Sequence, residues 1–165
     1  MTTKITEFDH SVLTVNDLVT AKMFYGQVLG EIVGKAQIDE PTMLATEQLE
    51  RAERLQRFFL QRDGVAHVSA PHLTVTVGDA QIPLFIQREH VQEPPPEQIR
   101  GTPRLAITVT PAQVDKAVEV FQRRDIPFED VHHPDTSPIA RSLYFKDPSS
   151  NFLELCCERS AENET

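Results

Sequence analysis

The chain of 165 residues has no tryptophan, and aromatic residues make up only 7% of it. Stacking against a ligand would therefore fall to Phe8, Phe58, Phe59, Phe85 or Phe152. Cysteine is nearly absent. Cys156 and Cys157 are adjacent, so they cannot close a long-loop disulfide, and they fit reduced, buried strand residues better than a redox or metal pair. No apolar run approaches the roughly 20 residues a bilayer span needs, which excludes a membrane helix. The stretch Met1-Thr2-Thr3-Lys4 lacks the apolar core of a secretory signal, and the expected location is the cytoplasm. No basic stripe offsets the net charge of −9, so a nucleic-acid partner is excluded and a cationic ligand is favoured. Apolar content of 39% and charged content of 25% suit one domain or two small fused modules with a proper core.

What is present is a repeat. His10-Ser11-Val12-Leu13-Thr14-Val15 and Arg104-Leu105-Ala106-Ile107-Thr108-Val109 share one alternating template, and each precedes an amphipathic helix. In that register His10 falls on Arg104. In the first strand, read at Phe8–Val15, alternation puts Phe8, His10, Val12 and Thr14 on one face. Asn16 or Asp17 caps a helix whose buried stripe is Leu18, Ala21, Phe24, Tyr25, Val28 and Leu29, with Gly30 as a left-handed stop. A second strand is expected over 31–36. Residues 42–62 read as an inserted helix with an apolar stripe of Leu44, Leu49, Ala52, Leu55 and Phe59. Its role is edge packing, a lid or a dimer element.

Strands over 72–77 and 81–88 flank a Gly78-Asp79 turn. The run Glu93-Pro94-Pro95-Pro96-Glu97 favours extended polyproline conformation and reads as a linker. Thr110-Pro111 starts the second helix, with Val114, Ala117, Val118 and Phe121 on its core face. Strands follow at 126–131, 140–146 and 151–157, the last two around Asp147-Pro148-Ser149-Ser150. The loop His132-His133 reads as solvated. The expected fold class is α+β: two paired βαβββ modules forming a cupped mixed sheet, with the inserted helix in the first. The first module spans 5–90, the linker 91–102, the second module 103–158, and 159–165 form a disordered tail.

Two motifs resemble the vicinal oxygen chelate superfamily, which includes glyoxalase I, bleomycin resistance proteins, fosfomycin-resistance enzymes and extradiol dioxygenases. One is Phe8-Asp9-His10-Ser11-Val12-Leu13-Thr14-Val15-Asn16-Asp17-Leu18 with the Phe24-Tyr25 and Val28-Leu29-Gly30 that follow. The other is Leu143-Tyr144-Phe145-Lys146-Asp147-Pro148-Ser149-Ser150-Asn151-Phe152-Leu153-Glu154-Leu155. The resemblance implies a divalent metal (Fe, Mn, Zn or Ni) in the cup, with His10 and Glu154 as ligands. It also implies that the third first-strand ligand is replaced by Arg104, and a further one by Pro83 or Phe85 according to register. Two ligands hold such an ion poorly, and His132-His133 is a spare.

Two functions follow. One is a divalent-metal enzyme acting as a dioxygenase or lyase on a substrate with vicinal oxygens. Glu154 and Tyr144 are then catalytic, and Arg104, Phe85 and Phe152 bind substrate. The other is a protein with no metal that sequesters a drug or metabolite, in which Glu154 pairs with Arg104, because a carboxylate among Phe152, Leu153, Leu155 and Cys156 is costly to bury alone. A vestigial, regulatory domain is a third reading. A small-molecule partner and a homodimer are expected throughout.

Overall fold

In the computed structural model the described residues are 11–34, 36–38, 46–63, 72–77, 80–86 and 104–159. They form two four-stranded sheets with the same strand order. The first half contains β1 (Leu13–Val15), α1 (Leu18–Met23), a π-helical segment (Phe24–Leu29), α2 (Gly30–Val33), β2 (Ala36–Ile38), α3 (Thr46–Asp63), β3 (Leu73–Val77) and β4 (Ala80–Ile86). The second contains β5 (Leu105–Thr108), α4 (Pro111–Arg123), β6 (Phe128–His132), β7 (Ile139–Lys146) and β8 (Phe152–Glu158). The orders are β1-β4-β3-β2 and β5-β8-β7-β6, with the first pair of each sheet parallel and the others antiparallel. This is the α+β architecture of paired βαβββ units.

Strand alternation splits each sheet into a core face and an open face. Leu13, Val15, Leu73, Val75, Ile82, Leu84 and Ile86 belong to the core, as do Leu143, Phe145, Leu153, Leu155 and Cys157. Phe24 and Tyr25 are buried there, as their helical spacing predicts. Both cysteines are buried and unbridged.

Several elements depart from the sequence reading. Gly30 does not stop the first helix. It takes helical angles, and the chain continues through Val33 to Gly34, whose φ of 73° makes it the left-handed cap. Ile32 explains the extension, because one more turn buries it to 3% exposure beside Val28 and Leu29. Residues 31–33 are therefore helical, and the strand starts at Ala36. The second helix ends with Asp125 at φ 52°. β6 is shifted to Phe128–His132, so His132 is a strand residue rather than part of a loop. The proline run, the Gly78-Asp79 turn and the tail from Ser160 lie outside the described residues.

The face that α3 buries also differs from its apolar stripe. Leu49, Ala52 and Leu60 are buried, but Leu55 is exposed and Gln56 is fully buried in its place. The physical reason is backbone satisfaction. Gln56 Oε1 accepts the Ile86 N–H at 2.7 Å. Glu53 Oε2 accepts the Leu18 N–H at 3.2 Å, and Arg57 donates to the Asn16 carbonyl at 2.6 Å. Thus α3 holds the corner between β1 and α1 with Glu53 and Arg57 and the end of β4 with Gln56, while Asp17 caps α1 through the Thr20 N–H at 2.6 Å.

The halves meet along a polar seam. Asp147, 4% exposed, starts the five-residue connection between β7 and β8 (residues 147–151). Its carboxylate accepts from the Tyr25 hydroxyl, the Ser149 and Asn151 backbone N–H groups and Asn151 Nδ2, each at 2.8 Å. Ser149 Oγ accepts from Asn16 N at 2.8 Å, and Asn151 Nδ2 donates to the Thr14 carbonyl at 2.8 Å. Burial first, and then Asp147, push the Tyr25 phenol well above its ordinary pKa of 10.0.

Candidate functional site

The second sheet concentrates its chemistry on the open face. β8 pairs Glu154 with Ala106 of β5 and with Tyr144 of β7. Tyr144 in turn pairs with Glu129 of β6. These residues form one row across four strands, at about 4.8 Å per strand. Arg104 precedes β5 and reaches diagonally into the row. Its Nε donates to Glu154 Oε2 at 2.6 Å, and its guanidinium carbon lies 4.8 Å from the centroid of the Tyr144 ring.

Burial explains why this pair forms. The Glu154 side chain is 11% exposed, whereas the Arg104 side chain keeps 30% exposure. A carboxylate that deep needs a counter-charge. The Glu154 hydrogen bond in turn raises the Arg104 pKa, so the guanidinium is a fixed cation. Among the described residues that bond is the one hydrogen bond Arg104 makes, which leaves its terminal fork of N–H donors for another acceptor. The Tyr144 hydroxyl has no hydrogen-bond partner among the described residues either. Phe152, paired with Lys146, is 8% exposed and takes the Lys146 ammonium 5.3 Å from its ring centroid.

The next row is closed. Thr108 Oγ1 lies 3.9 Å from Cys156 Sγ, and His133 Nε2 lies 2.9 Å from Ser142 Oγ. Burial raises the Cys156 thiol pKa, which makes it a poor nucleophile. His132 is 74% exposed, as a solvated residue should be, and His133 is committed to Ser142. Neither reaches the Arg104–Glu154 pair, so they do not serve as spare ligands.

The first sheet is different. Phe85 lies on its open face, stacked on His72 at 4.6 Å between centroids. Strand pairing settles which residue there corresponds to Glu154. Leu13 pairs with Leu84, and Ile107 pairs with Leu155. The sequence repeat aligns Leu13 with Ile107, so Pro83, rather than Phe85, occupies the place of Glu154. His10 lies outside the described residues.

Among the described residues the donor set falls short of a divalent-metal shell, and His10, the other ligand the resemblance implies, lies outside them. Proline carries no side-chain donor, and a guanidinium donates hydrogen bonds but cannot ligate. The one carboxylate in place is already bound to that cation. Among the described residues, no group of three or more His, Cys, Asp or Glu side chains could hold a metal ion.

Sequence reasoning offered the pairing of Arg104 with Glu154 as its alternative to a metal site, and the structure forms that pair. That reasoning missed Glu53 and Arg57, which hold the β1–α1 corner, and Gln56, which holds the end of β4; their signal was polarity at helical spacing within the buried stripe. It also missed a cavity of about 500 Å³ at the seam, lined by Phe24, Phe128, Tyr144 and Phe145 among others. A polar cleft of about 820 Å³ lies at the far end of the second sheet. Its arginines are spent on acids: Arg141 on Asp130 and Asp115, and Arg159 on Asp135.

Comparison with known proteins agrees with the fold. The family model for the Glyoxalase/Bleomycin resistance protein/Dioxygenase superfamily matches residues 7–155. No curated protein sequence matches. Among solved structures, a mutant of the fosfomycin resistance protein FosX from Listeria monocytogenes, complexed with Mn(II) and 1S,2S-dihydroxypropylphosphonic acid, has a TM-score of 0.59 at 15% identity, covering 95% of each chain. A lactoylglutathione lyase from Agrobacterium tumefaciens gives 0.54 at 17%, covering 94% of this chain and 96% of that one. A glyoxalase/dioxygenase from Nostoc punctiforme gives 0.56 at 22%, covering 97% and 99%.

Proposed function

The chain belongs to the Glyoxalase/Bleomycin resistance protein/Dioxygenase superfamily, and from that premise we propose that it binds a small organic anion without a resident metal. One observation carries the reading: Arg104 is held by Glu154 at 2.6 Å while its terminal fork stays open. Glu154 holds the guanidinium through Nε and fixes its position. Tyr144 lies against its face and fixes its plane. The fork then presents two parallel N–H donors, which match a carboxylate or phosphonate. The FosX relative was solved with a phosphonic acid, and here the same head group would find its counter-charge in arginine. Phe152, and Phe85 from the first sheet, supply apolar contact for the rest of the ligand. If turnover occurs, Tyr144 is the group able to give a proton to a bound ligand, because its hydroxyl is otherwise unengaged among the described residues.

A divalent-metal enzyme is the alternative reading, with Glu154 and His10 as its expected ligands, and the titration below separates the two. A homodimer remains part of the reading, supported by exposed Met23 and Phe58 at 53% each, and light scattering would test it. No helix among the described residues is long and apolar enough to cross a membrane.

The test is calorimetric titration with phenylphosphonate and propylphosphonate, with and without a chelator. Binding should be indifferent to chelator and at least tenfold weaker in Arg104→Gln. Binding that appears only after Mn(II) is added would overturn the proposal in favour of the metalloenzyme.

A further inference from the structure

The open face of the first sheet carries an aromatic stack. The rings of His72 and Phe85 lie 4.6 Å apart, with their planes 22° from parallel. Continuing the Leu73–Leu84 pairing by one residue puts the two directly opposite each other on β3 and β4. Neighbouring strands are about 4.8 Å apart, so both rings stand upright on the sheet and stack across the strands. His72 therefore covers one face of Phe85. The other face looks toward β1, where the residue in register is Thr14. Thr14 is exposed and has a short side chain, so it floors a slot about one strand wide with the Phe85 ring as its wall.

The floor of this slot is tied to the strand that carries the anion site. Asn151 Nδ2 donates to the Thr14 carbonyl at 2.8 Å, and Ser149 Oγ accepts the Asn16 N–H at 2.8 Å. Asn151 immediately precedes Phe152 at the start of β8. Continuing the Leu105–Leu153 pairing by one residue puts Phe152 opposite Arg104. Of the two aromatic residues at this junction, Phe152 has little surface left, because it is 8% exposed and takes the Lys146 ammonium 5.3 Å from its ring centroid. Phe85 is only partly buried, and among the described residues His72 is the one ring stacked on it. Its second face is the stacking surface on offer.

We infer that the anion held by Arg104 carries a flat aromatic ring, which stands over Thr14 against Phe85 as the third layer of the His72–Phe85 stack. This names the ligand class of the Arg104 site and rests on the anion reading. A ring one strand spacing from Phe85, about 4.8 Å, is inside the range at which offset or tilted rings attract. A slot of that width favours a flat ring over a puckered saturated one. The second half then selects the charge of the ligand, and the first half selects its shape. Phe85 touches the ligand, whereas His72 is a positioning residue that holds the Phe85 ring upright.

The probes are benzylphosphonate and (cyclohexylmethyl)phosphonate, titrated by calorimetry into the full chain. They share length and head-group charge, and the saturated ring is the more apolar. A preference for the benzyl probe therefore reports stacking rather than buried area. The wild type should bind the benzyl probe about fivefold tighter. Phe85→Leu should remove that preference. Thr14→Leu fills the slot and should weaken the benzyl probe by about fivefold or more. His72→Ala should cut the preference by roughly half or more, and His72→Phe should restore it, which a general loss of structure would not do. Arg104→Gln should weaken both probes by on the order of tenfold and leave their ratio unchanged, so that charge and ring are read separately. Backbone amide shifts on binding should include Thr14 and Phe85 as well as Arg104. Equal binding of the two probes by the wild type, or shifts that spare Thr14 and Phe85, would overturn the inference and leave the anion reading standing. Binding of neither probe would overturn both.

Discussion

The two halves share one backbone plan and divide its chemistry unequally. In the first sheet the open face of β1, β3 and β4 carries Thr14, Thr74, Thr76, Gln81, Pro83 and Phe85, with no charge among them. In the second, the same face carries Arg104, Glu154, Tyr144, Glu129 and Lys146. The helices differ in the opposite sense. α4 is regular and closed by a capping box between Thr110 and Gln113, whereas the first helix passes through a π-helical segment to reach Val33. The repeat thus preserves strand order while freeing individual positions. One half supplies a support whose polar side chains hold backbone, and the other supplies side chains aimed outward.

The sharpest way to break the contrast is Arg104→His. In the sequence repeat this restores the residue type of His10, and with the ligands that the resemblance implies, His10 and Glu154, it would complete a two-histidine, one-carboxylate set suited to Fe(II), Mn(II) or Zn(II). Metal content by mass spectrometry should rise from substoichiometric in the wild type to near one ion per chain. That corresponds to at least a hundredfold gain in affinity, or about 2.7 kcal/mol. Stoichiometric metal in the wild type would erase the proposed difference between the halves.

Next in size is Glu154→Gln. It removes the counter-charge of Arg104 and leaves the guanidinium without its one hydrogen-bond partner among the described residues. The cost should be about 2 kcal/mol, below the roughly 3–5 kcal/mol of a fully buried pair, because Arg104 keeps 30% exposure. Denaturant unfolding at pH 7 measures it. A loss near zero would mean that the pair is no more than a surface contact.

Tyr25→Phe probes the seam rather than either face. It deletes one of four bonds to buried Asp147, for about 1–2 kcal/mol at neutral pH. The pH dependence has a definite sign. The folded pKa of Tyr25 lies above its unfolded value of 10.0, so the contribution is complete below pH 10 and is lost as pH rises beyond it. The wild type should lose stability steeply above pH 10, and the variant less steeply.

The second half was more legible in the sequence than the first, and the reason is length. The resemblance put residues 104 and 154 at one site, and the cost of burying Glu154 called for a metal or a cation; the β5–β8 register and the Arg104 contact show which partner it takes. The counterpart in the first half could not be counted across the repeat. The connection between β3 and β4 is two residues (78–79), against five between β7 and β8 (147–151). Only the pairing of Leu13 with Leu84 shows that Pro83 stands opposite Glu154. Helix ends were misread where two glycines compete: Gly30 and Gly34 look alike until Ile32 is seen to need burial. The role of α3 was misread because periodicity counts apolar residues, and Gln56 is polar yet fully buried for the sake of one backbone N–H. The 500 Å³ cavity had no sequence signal, because its walls come from residues 24, 125–129 and 144–148, brought together only by the packing of the two halves.

The smallest test sharpens a contrast in the turns. Where the first half needs a positive φ it uses a glycine, Gly34 at 73°; where the second needs one it uses Ser150 at 67° and Asp125 at 52°. A side chain in that region costs about 1 kcal/mol or more, and glycine removes the cost while adding freedom to the unfolded chain. Ser150→Gly should therefore stabilise by about 0.5 kcal/mol. The Ser150 N–H still bonds the Asp147 carbonyl at 3.0 Å, and its hydroxyl has no partner among the described residues. Gly34→Ala should destabilise by about 1 kcal/mol through backbone strain alone, because an added Cβ there meets nothing within 4 Å. Opposite signs for the two substitutions, read as shifts in the unfolding midpoint, would show that the first half already has the residue its turn requires while the second tolerates strain beside its binding face. A destabilised Ser150→Gly would mean instead that the serine side chain holds the turn that Asp147 organises.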